Sequence, residues 1–566
     1  MSRPIWTVLL CRLILVFAIA MPHDAPPTSA SRLSSSLGRV TSYRLTLIVV
    51  SALILLGVGC RMSYLSEPVF WVDEVATATR VSGYARGDIV AELADGNGRS
   101  PAALQRYQQL PSDRTWGDTF NALCQSPEHA PLYFLGAGLW MRLFGTSIVA
   151  LRSFSVVLGL LLLPALYGFC WVLFPHPQVA AWTVAIAAVS PYLIAYSKEA
   201  RPYSLWALVL VGGSTMLVLA WQRQTWHVWL GYATTIALML YTSLLSAPVL
   251  VGHSLYVYFQ SRGQRLSQRR FWIALGLGIL AFLPWIGVMV QNWNLLETNT
   301  AWARSPLNPF IRLGIWLYSF AILILDVPIA SFPSLLAGVQ GIVALFALIM
   351  MGWAVWAMLR RTAMAQWGVL LALALPTPLV LILLDGLHGG QVSATSRYLF
   401  PTQIALIIAL GWFFAQRLAS HPRSTRWLLM ALLLVCLISN RVGLGRSPNY
   451  QKDRNIHNPS VVQVLNTTPA PLLLVPASQV FDALSLSHSL DNTVTLRFLP
   501  DDTLPAKLPD RLDDMSVFLL NPTEVERDRF TQTHPILLKE AYEPKLLAEG
   551  DNYLSLWQVI YARPID

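Results

Sequence analysis

The chain has 566 residues, 55% of them hydrophobic and 12% charged, with a formal net charge of +10. A soluble protein of this size carries about 25% charged residues, so a soluble globular enzyme is excluded in favour of a polytopic membrane protein. The basic excess lies in residues 1–445, which hold 29 Lys/Arg against 14 Asp/Glu; it reads as cytoplasmic loop charge, with no nucleic-acid partner.

Residues 1–43 form an N-terminal apolar segment followed by a Pro/Ser-rich linker, "PHDAPPTSASRLSSSLGR". The run at 5–21 has the look of a signal peptide, of a non-cleaved span or of a mis-called upstream start. Transmembrane sequence begins near residue 44. Runs such as "LTLIVVSALILLGVGC" and "SLLAGVQGIVALFALIMMGWAVWAML" are long enough, at about 1.5 Å per residue, for a hydrocarbon core of roughly 30 Å.

Arginine clusters set the direction of each crossing: Arg223; Arg262, Arg265, Arg269 and Arg270; Arg360 and Arg361; Arg417, Arg423 and Arg426. With these inside, the first outer loop 63–129, the turn near 197–202, the segment around 293–309 and the loop 385–397 all fall outside. Two weaker segments, 131–144 and 310–326, are expected not to cross fully. The count is about eleven to thirteen spans over residues 44–445, an all-α bundle. Residues 446–566 change character, with short strand-like runs "PLLLVP", "TVTLRFLP" and "SVFLLNP", helical stretches around 478–488 and 523–531, and a final strand "YLSLWQVI". They form a small extracytoplasmic α/β domain.

Acidic residues are the informative minority. Of the 14 in residues 1–445, nine lie in 67–128. Asp73 and Glu74 follow Trp71 where the chain leaves the first reliable span, and they suit the first turn of a helix through its dipole. They equally suit a general base or a metal-binding pair at a membrane surface. Glu128 and His129 precede the next apolar helix as a helix cap or a metal-ligand pair, although adjacent side chains need not share one ion. Lys198, Glu199 and Arg201 interrupt "SPYLIAYSKEARPYSLWALVL", as a polar turn or as a phosphate anchor. Arg397, beside Tyr398, stands at the outer end of a late span, snorkelling to headgroups or holding a phosphate. Trp71, Tyr133 and Tyr203 lie near the same boundary, as interface aromatics or as platforms for sugar rings. The cysteines are scattered and give no disulfide framework.

The order WxDE, E-H-x-P-L-Y, L-F-G, A-L-R-x-x-S, S-P-x-x-I-x-Y-S-x-E-A-R-x-Y and R-Y-L-x-P resembles the C-type superfamily of polytopic glycosyltransferases. Within it, the likeness is to bacterial relatives of protein O-mannosyltransferases and aminoarabinose transferases, over residues 44–445. The resemblance implies a polyprenyl-phosphate sugar donor used on the extracytoplasmic face of a bacterial cell membrane, with a lipid, polysaccharide or protein acceptor. It implies Asp73, with Glu74 beside it, as a base or catalytic acid residue, and Arg201 and Arg397 at the donor phosphate, where the charge of Lys198 would add to theirs. Glu128 falls where some relatives carry a metal-ligating Glu, and Glu128, His129, Glu199, Tyr203 and Tyr398 are candidate contacts to substrate or metal. The chain departs from the family at His129-Ala130-Pro131, at Lys198 and at Ser243, where relatives often carry a histidine. A divalent metal therefore stays open and no metal site is assigned.

A sugar on a lipid phosphate already has its leaving group. What the chemistry needs is a base for the incoming hydroxyl and cations for the departing phosphate, with the base on the face of the sugar opposite the phosphate so that the anomeric centre inverts. A transporter or flippase of lipid-linked sugars, and a non-catalytic binder of them, remain the alternatives.

Overall fold

In a lipid core, unbroken apolar sequence can satisfy its backbone only as helix, and helix dominates this computed structural model. It describes residues 33–174, 176–260, 265–328, 334–445, 455–499, 516–533, 536–542 and 554–561. The reading of residues 1–22 as a signal or a span lies outside these.

The helices that build the site are α1 (Leu33–Met62), α2 (Val72–Val81), α3 (Leu132–Phe144), α4 (Ile148–Leu173), α5 (Pro177–Val189), α6 (Pro191–Ser197), α7 (Tyr203–Arg223) and α8 (Phe400–Ser420). Among the described residues seven helices are long and apolar enough to cross a membrane, or eight if the bent pair α5–α6 counts as one span. That is fewer than the eleven to thirteen expected. The difference lies in apolar stretches that fold into shorter helices: the apolar part of α1, Thr46–Met62, and Trp226–Thr242, Ser246–Gln260, Pro309–Ala321 and α3. The weak segments 131–144 and 310–326 each yield a helix of 13 residues, about 20 Å long.

The centre of the bundle is the span Ser396–Ser420, in which 89% of the most apolar window is buried, against 22% for Arg265–Gln291. It packs along α5. A Cβ at Gly411 would overlap Thr183, and one at Gly57 would overlap the Ala188 backbone, so α8 and α1 approach α5 only because these positions are glycine. Pro191 opens α6 after Ser190, and the pair bends by 62°. The bend brings the turn 198–202 beneath α2.

The C-terminal segment closes on a six-stranded sheet of order β1-β3-β2-β4-β6-β5. Its strands are β1 (Gly98–Arg99), β2 (Pro471–Pro476), β3 (Thr495–Leu499), β4 (Ser516–Leu520), β5 (Ile536–Tyr542) and β6 (Leu556–Tyr561). Central β2 runs parallel to both β3 and β4. All six of its residues are buried, as befits a strand covered on both faces. Leu473 and Val475 join the main core, while Leu472 and Leu474 join a second, smaller one, which follows the two-residue side-chain period. Edge strand β1 comes from the loop 63–129 and pairs antiparallel with β3. That pairing ties the loop to a segment nearly 400 residues later.

Candidate active site

Helix α2 begins directly after Trp71 and carries Asp73 and Glu74 in its first turn, where the helix dipole favours negative charge. The two neighbours then part. Successive helical residues point about 100° apart, so Asp73 turns outward and Glu74 inward.

Asp73 Oδ2 stands 3.6 Å from Arg201 Nη2 and 3.9 Å from Arg397 Nη2. Arg201 also donates through Nη1 to the Asp73 carbonyl at 3.2 Å and to Thr77 Oγ1 at 3.3 Å. Burial works against the Arg201 charge, but Asp73 and then Tyr203 outweigh it and hold its pKa above the ordinary value. The Arg397 guanidinium lies 5.6 Å from the Trp71 ring and 5.7 Å from that of Tyr398, both within cation–π range. Tyr203 stacks on Phe400 with centroids 5.9 Å apart and planes 4° from parallel. One carboxylate and two guanidiniums from elements 128 and 324 residues apart thus converge on one point.

The Asp73 carboxylate thus lies on the same side of the site as both guanidiniums.

Glu74 is enclosed, in contrast to Asp73. It is fully buried, and Arg152 donates to both of its oxygens, Nε to Oε1 at 2.8 Å and Nη2 to Oε2 at 2.7 Å. The Ala200 backbone N–H donates to Oε1 as well, at 2.8 Å. Arg152 spends its remaining donors on the carbonyls of Leu65, Pro68 and Val69. This is a buried strut joining α2, α4, the turn 198–202 and the chain entering α2.

Lys198 sits at the C-cap of α6, close enough to the end of α1 for its charge to act on the Cys60 thiol. Glu199 is 2% exposed, and its charge acts on Tyr133, Tyr192 and Tyr196. Tyr133 itself is buried, with its hydroxyl 2.7 Å from Ser155 Oγ.

Glu128 and His129 flank the cluster, with His129 Nε2 3.6 Å from Glu128 Oε1. Asn299 donates to both Glu128 oxygens at 3.3 and 3.2 Å. Burial, then Arg80, Arg201 and Arg397, push the His129 pKa well below its ordinary value. Among the described residues no group of three or more His, Cys, Asp or Glu side chains could hold a metal ion.

Arg80 is the residue the sequence reading missed. It is buried on α2, its Nη1 donates to the Ala76 carbonyl at 3.2 Å, and burial pushes its pKa down to about 10 against the pull of Glu128. Its signal was present: Asp73, Thr77 and Arg80 stand at i, i+4 and i+7, one face of a helix.

With this geometry in view, residues 128–287 match the model of the family described as dolichyl-phosphate-mannose-protein mannosyltransferase. The chain resembles the C-type superfamily of polytopic glycosyltransferases. The matched segment, a little over a quarter of the chain, carries Glu128, His129, Lys198, Glu199 and Arg201, whereas Asp73 and Arg397 lie outside it. The fold is similar to two crystal structures of ArnT from Cupriavidus metallidurans. The form bound to undecaprenyl phosphate has a TM-score of 0.45 at 12% identity, covering 92% of this chain and 98% of ArnT. The apo form has a TM-score of 0.48 at 13% identity, covering 93% and 98%. No curated protein matches the chain.

Proposed function

We propose that this chain is a membrane glycosyltransferase that moves a sugar from a polyprenyl-phosphate donor to an acceptor hydroxyl on the extracytoplasmic face, with inversion. The observation that carries the proposal is the placement of Asp73 against both Arg201 and Arg397.

The donor phosphate brings the negative charge that the two guanidiniums otherwise find in Asp73. Planar guanidinium groups suit a phosphate, which they hold through paired hydrogen bonds. As the phosphate takes over these pairs, the Asp73 carboxylate is released toward the acceptor. The acceptor oxygen then attacks the anomeric carbon and the bond from that carbon to the phosphate oxygen breaks. The hydroxyl proton passes to Asp73, and the polyprenyl phosphate leaves with the electron pair, its charge met by Arg201 and Arg397. Thr77 and Arg80 extend the same face of α2, with Arg80 adding positive charge behind the phosphate. The match to the dolichyl-phosphate-mannose-protein mannosyltransferase family supports the donor class.

The test is incubation of purified protein with a panel of polyprenyl-phosphate sugars and candidate lipid, polysaccharide or peptide acceptors, following release of polyprenyl phosphate. Release that depends on acceptor supports the reading. Movement of the intact donor between leaflets, with no release under any acceptor, would replace the transferase by a transporter.

A further inference from the structure

Helix α2 has no cap of its own. Trp71 occupies the N-cap position, and its side chain makes no capping hydrogen bond. The first N–H groups of a helix lack intrahelical partners, and in most helices a Ser, Thr, Asp or Asn at the N-cap supplies one. Here the partner comes from the C-terminal segment. The Val72 N–H donates to Asn455 Oδ1 at 3.1 Å, across 383 residues of chain.

Asn455 is fully buried, and its orientation is set from both ends. Its Nδ2 donates to Asn458 Oδ1 at 3.2 Å and to Asp482 Oδ1 at 3.4 Å, so the opposite oxygen must face Val72. Asn458 passes the connection on, donating to Ser485 Oγ at 2.9 Å, and Ser485 Oγ donates to the Phe70 carbonyl at 2.5 Å. The C-terminal segment therefore grips the backbone on both sides of Trp71, at Phe70 and at Val72. Trp71 is the ring beneath Arg397, and Asp73 follows two residues along.

We propose that Asn455 is a positioning residue for transfer: a side chain of the sheet-bearing C-terminal segment caps α2 and thereby fixes where Asp73 stands against Arg201 and Arg397. This gives the C-terminal segment a part in the reaction without touching donor or acceptor. The catalytic half of the inference rests on the function proposed above. The structural half, the cap itself, does not.

The experiment uses the full-length protein in detergent with two readouts. Amide hydrogen exchange across residues 72–77 needs no turnover, and Asn455→Ala is expected to speed it by about 5–10-fold, the size of a lost N-cap. In the transfer assay the same variant is expected to lower kcat by about 5-fold or more while leaving KM for the donor within twofold. A merely structural role would lower the amount of folded protein and leave that split unmoved. Asn455→Asp, which keeps an acceptor for the Val72 N–H but sets a second carboxylate beside Asp482, is expected to recover slow exchange only in part. Should Asn455→Ala fail to fold, Ser485→Ala releases the Phe70 side of the same grip and is expected to speed exchange in the same peptide. Exchange at the wild-type rate in the folded variants would overturn the cap. Faster exchange with unchanged kcat would overturn the positioning role. A wild-type protein that turns over no donor, with exchange still faster in Asn455→Ala, would count against the transferase and leave the cap standing.

Discussion

Glu74 and Arg152 meet through two hydrogen bonds of 2.8 and 2.7 Å, 78 residues apart in the chain and with almost no solvent contact on either side chain. Removing one member of such a pair leaves the other charge buried and unmatched, which typically costs about 3–5 kcal/mol. Arg152→Ala is therefore expected to lower the stability of the protein in detergent by about that amount, measured by thermal or denaturant unfolding. A change below about 1 kcal/mol, small beside that penalty, would mean the strut does not hold the site together.

Asp73 separates binding from chemistry. In Asp73→Asn the guanidiniums of Arg201 and Arg397 lose their internal counter-charge, so polyprenyl phosphate should bind at least as tightly as to the wild type. Transfer should fall by about 10²–10⁴-fold, the usual contribution of a general base. Binding by titration and transfer by turnover check the two halves. Parallel loss of both would show that Asp73 serves only to assemble the site.

Arg201 and Arg397 are expected to act on affinity as well as rate. A hydrogen bond to a charged group is worth about 1.5–3 kcal/mol, so Arg201→Ala and Arg397→Ala should each weaken polyprenyl phosphate binding by about 10–100-fold. Lysine at either position keeps the charge but loses the fork of donors and should recover only part. Wild-type affinity in either alanine variant would remove that arginine from the phosphate clamp.

Stability should fall in mild acid. The His129 pKa lies well below its ordinary value of 6.5 in the folded protein. The unfolded chain therefore binds the proton first as pH drops, and the folded state loses ground progressively below about pH 6.5. His457 is lowered as well, and burial pushes His488 down to about 4, so both act in the same direction. The Tm of the wild type is expected to decline from pH 7 to pH 5 more steeply than that of His129→Gln. Matching slopes would show that the imidazole carries no such penalty.

Membrane class, the acid-rich loop 63–129 and the helix start at Asp73 were all legible in the sequence. Each depends on local facts: how apolar a run is, how rare a carboxylate is, and which end of a helix an acid prefers. Local facts could not rank two adjacent acids. Asp73 and Glu74 look alike in sequence, and only the packing of α4, which carries Arg152, decides that Glu74 is enclosed and Asp73 open.

The sequence by itself determined that this protein lives in a bilayer and which few charged residues it keeps, because the cost of burying charge leaves so few of them. Only the tertiary structure decided which of those charges meet. The bend at Pro191, the close approach of α8 to α5 at Gly411 and the capping of Val72 by Asn455 each join segments far apart in the chain. Contacts of that kind depend on shape and on the pairing of buried polar groups, which no periodicity along the sequence records.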